Sequence, residues 1–352
     1  MEWTADVSVG DWLHERVSDG DPWGTTMHNV VPRGFPAYAR VFHQATRSRP
    51  VGRAWPPLPY DDNVRAWEAF GRAGVEVDTE AIRWADVATA FGTTMHPLAQ
   101  WNALVRVGAT GPNDWQQVQG PDGWQYDAPM EGQVDAASLA AIAGHLAAAT
   151  STPDAGYVAL WEGHGALLGH VGHAPSRTFF AIGSADGAPL ETAVSPHDGG
   201  VLSAEAAVHE RHHEMLQRSV HDPFNNVFRR PTWQPGILSR EISEGPRLEL
   251  PARGHVLFRG GIVELADPDW FLTVPWRDRP AEEHGFDPSA ISPSLIWPDD
   301  RAWMLVTEVD YDSTVIGGSP ELVGALCADQ SLEALPLPEG ADLTYAGDRI
   351  NA

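Results

Sequence analysis

The most direct sign of chemistry in the sequence is a short run of histidines around a glutamate, at positions 209–213. The run matches the H-E-x-x-H spacing, which places His209 and His213 one turn apart on one face of a helix. Two imidazoles so placed bind one zinc ion, and Glu210 would act as the general base that activates the bound water. This interpretation predicts a metal-dependent hydrolase with zinc or another divalent metal. Its third ligand would come from another segment, the candidates being His173, His197, His221 and Glu244.

The same segment also has an interpretation without chemistry. Zinc-protease helices usually bury apolar residues between the two ligands, whereas this chain has Arg211 and His212 there and no Gly-x-x-His continuation. Eight of the 15 histidines fall between positions 164 and 221, so a chance match to the spacing is not rare. Neutral imidazoles that converge in space bind zinc, nickel or copper. The alternative is a polar surface segment.

A second candidate is a row of three carboxylates, Glu308, Asp310 and Asp312. If the preceding strand continued through them, the period of two would place all three on one face. Three carboxylates on one face could hold Mg²⁺ or Ca²⁺, or supply an acid and a base. The alternative is the wet side of a half-buried sheet.

A third candidate is a ligand site near the N-terminus, formed by Tyr38, Arg40 and His43. Arg40 would hold an anion with its planar guanidinium, and His43 would be a titrating donor. The structural alternative is an arginine that pairs with an acidic neighbour and a tyrosine half inside the core.

Composition removes many classes of enzyme. All 23 basic residues are arginine, because the sequence has no lysine. This excludes the P-loop lysine, the kinase lysine and any Schiff-base lysine. The single cysteine, Cys327, excludes disulfides within the chain and thiolate zinc sites.

The charge balance bears on partners and location. A formal net charge of −25 disfavours nucleic acid and anionic membranes as partners. We find no signal peptide at the N-terminus and no apolar stretch of the about 20 residues that a membrane helix needs. We therefore expect a cytoplasmic protein without a nucleic-acid or membrane partner.

Hydrophobic periodicity predicts an α+β fold, with a helix-richer N-terminal part and a C-terminal mixed or antiparallel sheet with flanking helices. Helices are predicted at 80–91, 135–149, 204–220 and 320–328. Strands are predicted at 157–161, 255–263, 301–309 and 314–316. The domain prediction is a helix-rich part at 1–150 and a sheet-containing part at 151–352. The second part carries a Gly-, His- and Pro-rich insertion at about 165–247.

Tryptophan is frequent, at 15 of 352 residues. Tryptophan serves cores, stacking platforms and protein interfaces. Five tryptophans in patterned segments are expected in the core: Trp84, Trp101, Trp161, Trp297 and Trp303. Five others lie in Pro/Gly-rich loops, where exposure is expected, and if exposed they would form a ligand- or protein-binding surface: Trp55, Trp115, Trp124, Trp233 and Trp276.

Several aromatic-rich words occur in an order that resembles a known family. The first is Val31-Pro-Arg-Gly-Phe-Pro-Ala-Tyr-Ala-Arg-Val-Phe-His43, and a later one is Leu295-Ile-Trp-Pro-Asp-Asp-Arg-Ala-Trp303. With these words the chain resembles a widespread actinobacterial family of uncharacterised proteins, over residues 25–163 and 248–351. The resemblance implies no activity. The segment 165–247 departs from the family pattern.

The sequence leaves two functions open. The first is a soluble cytoplasmic binding or interaction protein with a protein or small-molecule partner, which the missing lysine and cysteine motifs and the loop tryptophans favour. The second is the metal-dependent hydrolase centred on 209–213. Stoichiometric metal that is lost when His209 is replaced would distinguish the second from the first.

Overall fold

The computed structural model describes residues 1–17, 25–107, 115–177, 230–251 and 253–351. Helix accounts for 24% of the chain and strand for 25%. The described strands form three sheets, and every strand pair in them is antiparallel. The fold is therefore built on sheets, with short helices packed against them.

The described residues form fifteen strands and eight α-helices. The strands are β1 (Glu2–Trp3), β2 (Ala37–Phe42), β3 (Ala45–Pro50), β4 (Val77–Ile82), β5 (Gln117–Gln119), β6 (Gln125–Asp127), β7 (Gly156–Trp161), β8 (His170–Gly172), β9 (Thr232–Gln234), β10 (Leu248–Leu250), β11 (Arg253–Gly260), β12 (Leu295–Pro298), β13 (Met304–Val306), β14 (Ser313–Gly318) and β15 (Ala334–Leu337). The helices are α1 (Asp11–His14), α2 (Val64–Arg72), α3 (Trp84–Phe91), α4 (Trp101–Leu104), α5 (Ala136–Ala148), α6 (Arg240–Ser243), α7 (Arg279–Glu282) and α8 (Pro320–Ala328).

The largest sheet has nine strands and draws on both ends of the chain. Its order is β1, β11, β7, β12, β13, β14, β2 and β15, and β10 also pairs with β11. Its central strands are rich in β-branched and large apolar residues and are buried along most of their length.

Both faces of this sheet are covered, because successive side chains of a strand point to opposite faces. On β7, Val158 and Leu160 join the core formed with α5, α8 and the 3₁₀ turn Ile262–Ala266. Tyr157 and Ala159 join a second core, which the N-terminal residues around Trp12 and the C-terminal residues around Leu343 cover. The second face is the one that carries the candidate site.

A smaller sheet packs a third core. Its strand order is β4, β3, β6 and β5, and its apolar side chains meet those of α3 and α4. Strands β8 and β9 pair with each other on either side of residues 178–229, which lie outside the described ranges.

The predicted α+β class with a helix-richer N-terminal part is wrong. The described residues of the range 1–150 contain six strands, two of which, β1 and β2, belong to the nine-stranded sheet, so this sheet is not a C-terminal unit. The helix predicted at 80–91 is strand β4 followed by helix α3. Because β4 is exposed at five of its six positions, no alternating apolar pattern marks it.

Elsewhere the local signals agree with the structure. Asp135 caps α5 by accepting from the backbone N–H of Ser138, and Ser319 caps α8 in the same way from Leu322. The helix predicted at 204–220 lies outside the described residues, as does most of the predicted insertion. Of the helices in the described ranges, none is long and apolar enough to cross a bilayer.

Candidate functional site

The H-E-x-x-H segment, with His209, Glu210 and His213, lies outside the described residues, as do His197 and His221. Within the part of the chain that the structure describes, no three His, Cys, Asp or Glu side chains are arranged to hold a metal ion. The zinc-hydrolase interpretation therefore stays a prediction from the sequence.

Arg40 lies inside the protein and is 1% exposed. Its Nε donates to the Ser313 hydroxyl at 2.7 Å, and one terminal nitrogen donates to the carbonyls of Pro97 and Ala99. The other terminal nitrogen forms an ion pair of 3.0 Å with Asp312. These contacts join β2, β14 and the loop before α4, so the guanidinium fastens three segments together.

Tyr38 and His43 are also buried and bonded to the chain. The Tyr38 hydroxyl donates to the Pro32 carbonyl at 3.0 Å. The His43 ring lies between the Met130 carbonyl, 3.0 Å from Nδ1, and the Thr314 hydroxyl, 2.9 Å from Nε2. Burial lowers the pKa of His43 to about 4, so its ring is neutral at pH 7. The prediction of a ligand site at Tyr38, Arg40 and His43 stays a prediction, and the contacts described here are those of a structural network.

The three alternating carboxylates do not share a strand face. Strand β13 ends at Val306, and a turn separates the carboxylates. Glu308 and Asp310 pair with Arg253, at 2.5 and 2.6 Å, whereas Asp312 pairs with Arg40. The row is thus divided between two arginines.

The pair of Arg253 and Glu308 belongs to a cluster of polar side chains at one end of the nine-stranded sheet, which we call the Arg253 site: Trp161, His164, Arg253, His255 and Glu308. On β11, Arg253 and His255 point to the same face as Leu257. His255 lies opposite Trp161 of β7 in the strand register. The Arg253 guanidinium lies 4.9 Å from the centre of the Trp161 ring, and the His164 ring contacts the edge of the same indole at 5.4 Å.

A small pocket opens beside this cluster. Its polar lining residues are Asn29, Arg253, His255 and Glu308. The centres of water-sized molecules can occupy about 30 Å³ of it, which is room for about two waters. The apolar walls come from the N-terminal segment, Pro251 and three sheet strands: Val17, Val30, Leu250, Leu295 and Val306.

The charges of the site are set mainly by burial. Burial lowers the pKa of His164 and of His255 to about 4, and the positive charge of Arg253 adds to both shifts. Both imidazoles are therefore neutral at pH 7, each with one N–H donor and one acceptor nitrogen. Burial raises the pKa of Glu308, and its ion pair with Arg253 opposes that shift.

Three buried polar atoms of the site have no hydrogen-bond partner among the described residues. They are Nε of Arg253, Nδ1 of His255 and Nε2 of His164. Buried polar groups in proteins are nearly always bonded to protein, water or ligand, because an unsatisfied one costs about 1–3 kcal/mol. These three atoms are the unsatisfied polar groups of the site.

Comparison with known proteins does not name a function. No family model matches this chain, and neither a curated protein nor a solved structure does. The resemblance to the actinobacterial family thus remains a prediction.

Sequence reasoning missed the Arg253 site. The signal was present as two polar residues, Arg253 and His255, at alternate positions of a strand that is otherwise apolar. The expectation for the loop tryptophans was wrong. Trp276 is completely buried, with its Nε1 donating to the Ile291 carbonyl, and Trp55, Trp115, Trp124 and Trp233 are half-buried. Proline and glycine content therefore does not indicate exposure here.

Proposed function

We propose that this protein binds a small uncharged molecule in the pocket beside Arg253, His255 and Glu308. The observation that carries this proposal is the pair of buried atoms without a partner, Nδ1 of His255 and Nε of Arg253, next to a pocket with mostly apolar walls. Binding sites for small molecules combine these two features: apolar walls and a few polar groups that orient the ligand.

The balance of charge favours an uncharged ligand. The Arg253 guanidinium is already neutralised by Glu308 and Asp310, and both histidines are neutral at pH 7. An anion would therefore find no free positive charge in the pocket. A cation would have to compete with Arg253 for the same carboxylates. An alcohol or amide group can instead donate to one neutral ring nitrogen or accept from the other.

The size of the pocket limits the ligand further. Its small volume fits a short alcohol, a diol or a small amide, or the corresponding end of a larger molecule. The apolar walls, which include Leu250, Leu295 and Val306, favour a ligand whose polar group is attached to a short hydrocarbon part.

The proposal is tested by thermal unfolding in the presence of a panel of small alcohols, diols, amides, amines and carboxylates. We expect a saturable rise in Tm with alcohols or amides, because a ligand that binds only the folded state stabilises it by mass action. His255→Phe keeps the ring volume and removes both ring nitrogens, so it should abolish the rise. His14→Phe replaces an exposed histidine of α1 and is the matched control, in which the rise should persist.

Two results would count against the proposal. One is the absence of any saturable shift with the uncharged compounds. The other is an equal shift in the wild-type protein and in His255→Phe, which would place binding elsewhere on the chain.

A further inference from the structure

Two arginines lie against one tryptophan near the N-terminus. The guanidinium carbons of Arg16 and Arg301 are 5.1 and 5.3 Å from the centre of the Trp12 ring. Trp12 is 9% exposed and contacts the edge of Trp297 on the nine-stranded sheet. The indole ring of Trp12 thus makes cation–π contacts with both guanidinium groups.

Local backbone structure holds each arginine against this ring. The backbone N–H of Arg16 donates to the Leu13 carbonyl at the end of α1, and its guanidinium also lies 5.7 Å from the Phe35 ring. Arg301 ends a turn after β12, where its N–H donates to the Pro298 carbonyl. Its φ of +54° is in the left-handed region, which is unfavourable for a residue with a side chain. Arg301 therefore has a strained backbone conformation at the end of this turn.

The two acidic residues that directly precede Arg301 in the sequence already have other partners. Asp300 accepts hydrogen bonds from Thr150 and from the backbone and hydroxyl of Ser151. Asp299 pairs with Arg259 at 3.2 Å. Neither Arg16 nor Arg301 forms an ion pair with any residue in the described ranges.

Two guanidinium groups on one ring concentrate positive charge at this surface, and positive charge attracts anions. Their distances from a common ring centre keep the two guanidinium carbons within about 10 Å of each other, which is about one Debye length at 0.1 M salt. A guanidinium that stacks on an aromatic ring keeps its N–H groups for an oxyanion, which it binds in a planar, bidentate geometry.

We propose that Arg16 and Arg301 form an oxyanion site on Trp12, which takes a ligand with phosphate or carboxylate groups. The site does not depend on the proposed function. The two sites lie near opposite ends of strand β7. Trp12 packs on Trp297, which pairs with Tyr157 near the start of β7, whereas His255 of the Arg253 site pairs with Trp161 at its end. The two sites also differ in charge, because Arg253 is neutralised by carboxylates of the chain.

The experiment is calorimetric titration of the full chain with diphosphate and, separately, with succinate, at low ionic strength. Saturable binding of either anion is expected, and the anion that binds identifies phosphate or carboxylate as the ligand chemistry. Arg16→Gln and Arg301→Gln should each weaken binding roughly tenfold or more, because each removes a charge-assisted hydrogen bond, and the double variant should abolish it.

Arg65→Gln is the matched control, since Arg65 is an exposed arginine of α2 without an ion pair among the described residues. It should bind the anion as the wild-type chain does. Circular dichroism of each variant checks that the fold is retained. The proposal is overturned if neither anion binds saturably, or if Arg65→Gln weakens binding as much as the two site variants, which would indicate adventitious attraction to any arginine.

Discussion

Arg253, at the start of β11, forms an ion pair of 2.5 Å with Glu308, which lies two residues beyond the end of β13. Strands β7 and β12 lie between these two strands in the sheet, so the pair spans their ends. Both side chains are largely buried, at 21% and 11% exposed. The pair closes one end of the second core and supplies two of the four polar residues that line the pocket.

Replacing Arg253 by methionine should destabilise the protein by about 2 kcal/mol, because the buried Glu308 carboxylate would lose its counter-charge. Arg259→Met is a control on the same strand, since Arg259 pairs with Asp299 but is 58% exposed. Its cost should stay within about 1 kcal/mol. Urea unfolding of the three proteins measures both values. Equal losses in the two variants would show that the buried pair contributes no more than the exposed one.

The buried histidines should make the folded state sensitive to acid. His43, His164 and His255 have pKa values of about 4 in the folded state, below the ordinary value of 6.5. Between pH 6.5 and pH 4 the unfolded chain takes up protons that the folded chain does not. The contribution of these histidines to the free energy of unfolding is therefore complete above pH 6.5. It is lost as the pH falls towards 4, by about 1.4 kcal/mol per pH unit for each histidine.

The variant His255→Phe separates the contribution of one histidine from those of the buried carboxylates. Buried carboxylates with raised pKa values, among them Glu308 beside His255, change stability in the opposite direction over the acidic range. His255→Phe should flatten the dependence of unfolding free energy on pH by about 1.4 kcal/mol per unit relative to the wild-type chain. His14→Phe should leave the slope unchanged. An unaltered slope in His255→Phe would mean that this ring protonates normally in the folded protein.

Arg40→Lys should cost about 3 kcal/mol although the charge is kept. Arg40 donates to Ser313, to Asp312 and to two carbonyls in different directions, and a lysine ammonium cannot reach all four acceptors. The exposed pair of Arg72 with Glu68 supplies the control, because Arg72→Lys should change stability by less than about 0.5 kcal/mol. A lysine at position 40 that is tolerated as well as one at 72 would contradict the structural role of Arg40.

We expect the C-terminal residues to stabilise the fold through the Asp348 carboxylate. Its carboxylate accepts from His96 at 2.9 Å and from the backbone of Ile350 and Asn351, and Asn351 in turn bonds both backbone groups of Thr94. Asp348→Ala should cost about 2 kcal/mol, because several buried donors lose one acceptor. Asp267→Ala removes an exposed carboxylate with one local bond and should be neutral. Thermal unfolding distinguishes these outcomes, and equal Tm values would contradict the prediction.

The parts of the fold that sequence reasoning predicts are those with a local cause. Helices α5 and α8 carry their own caps, Asp135 and Ser319, and their apolar residues recur with the helical period. Strands β3 and β4 lack such a signal, since their exposed faces carry arginines and carboxylates such as Arg47 and Glu80 that pair across the strands. Their place depends on the sheet as a whole.

The candidate site shows the same division. The structural alternative for Arg40 is pairing with an acidic neighbour, but its partner in the structure, Asp312, lies far along the chain, and only the pairing of β2 with β14 brings the two together. His255 and Glu308 are separated in the same way. The pocket exists only once the sheet has assembled, so spacing in the sequence could not indicate it.

The proposed binding pocket is best tested by a crystal structure of the protein soaked with small alcohols, diols and amides. We expect one of these compounds between Leu250, Leu295 and Val306, within hydrogen-bonding distance of His255 or Glu308. Compounds bound only at other places on the surface, or a pocket filled by the protein's own side chains, would show that this pocket does not bind a small uncharged ligand.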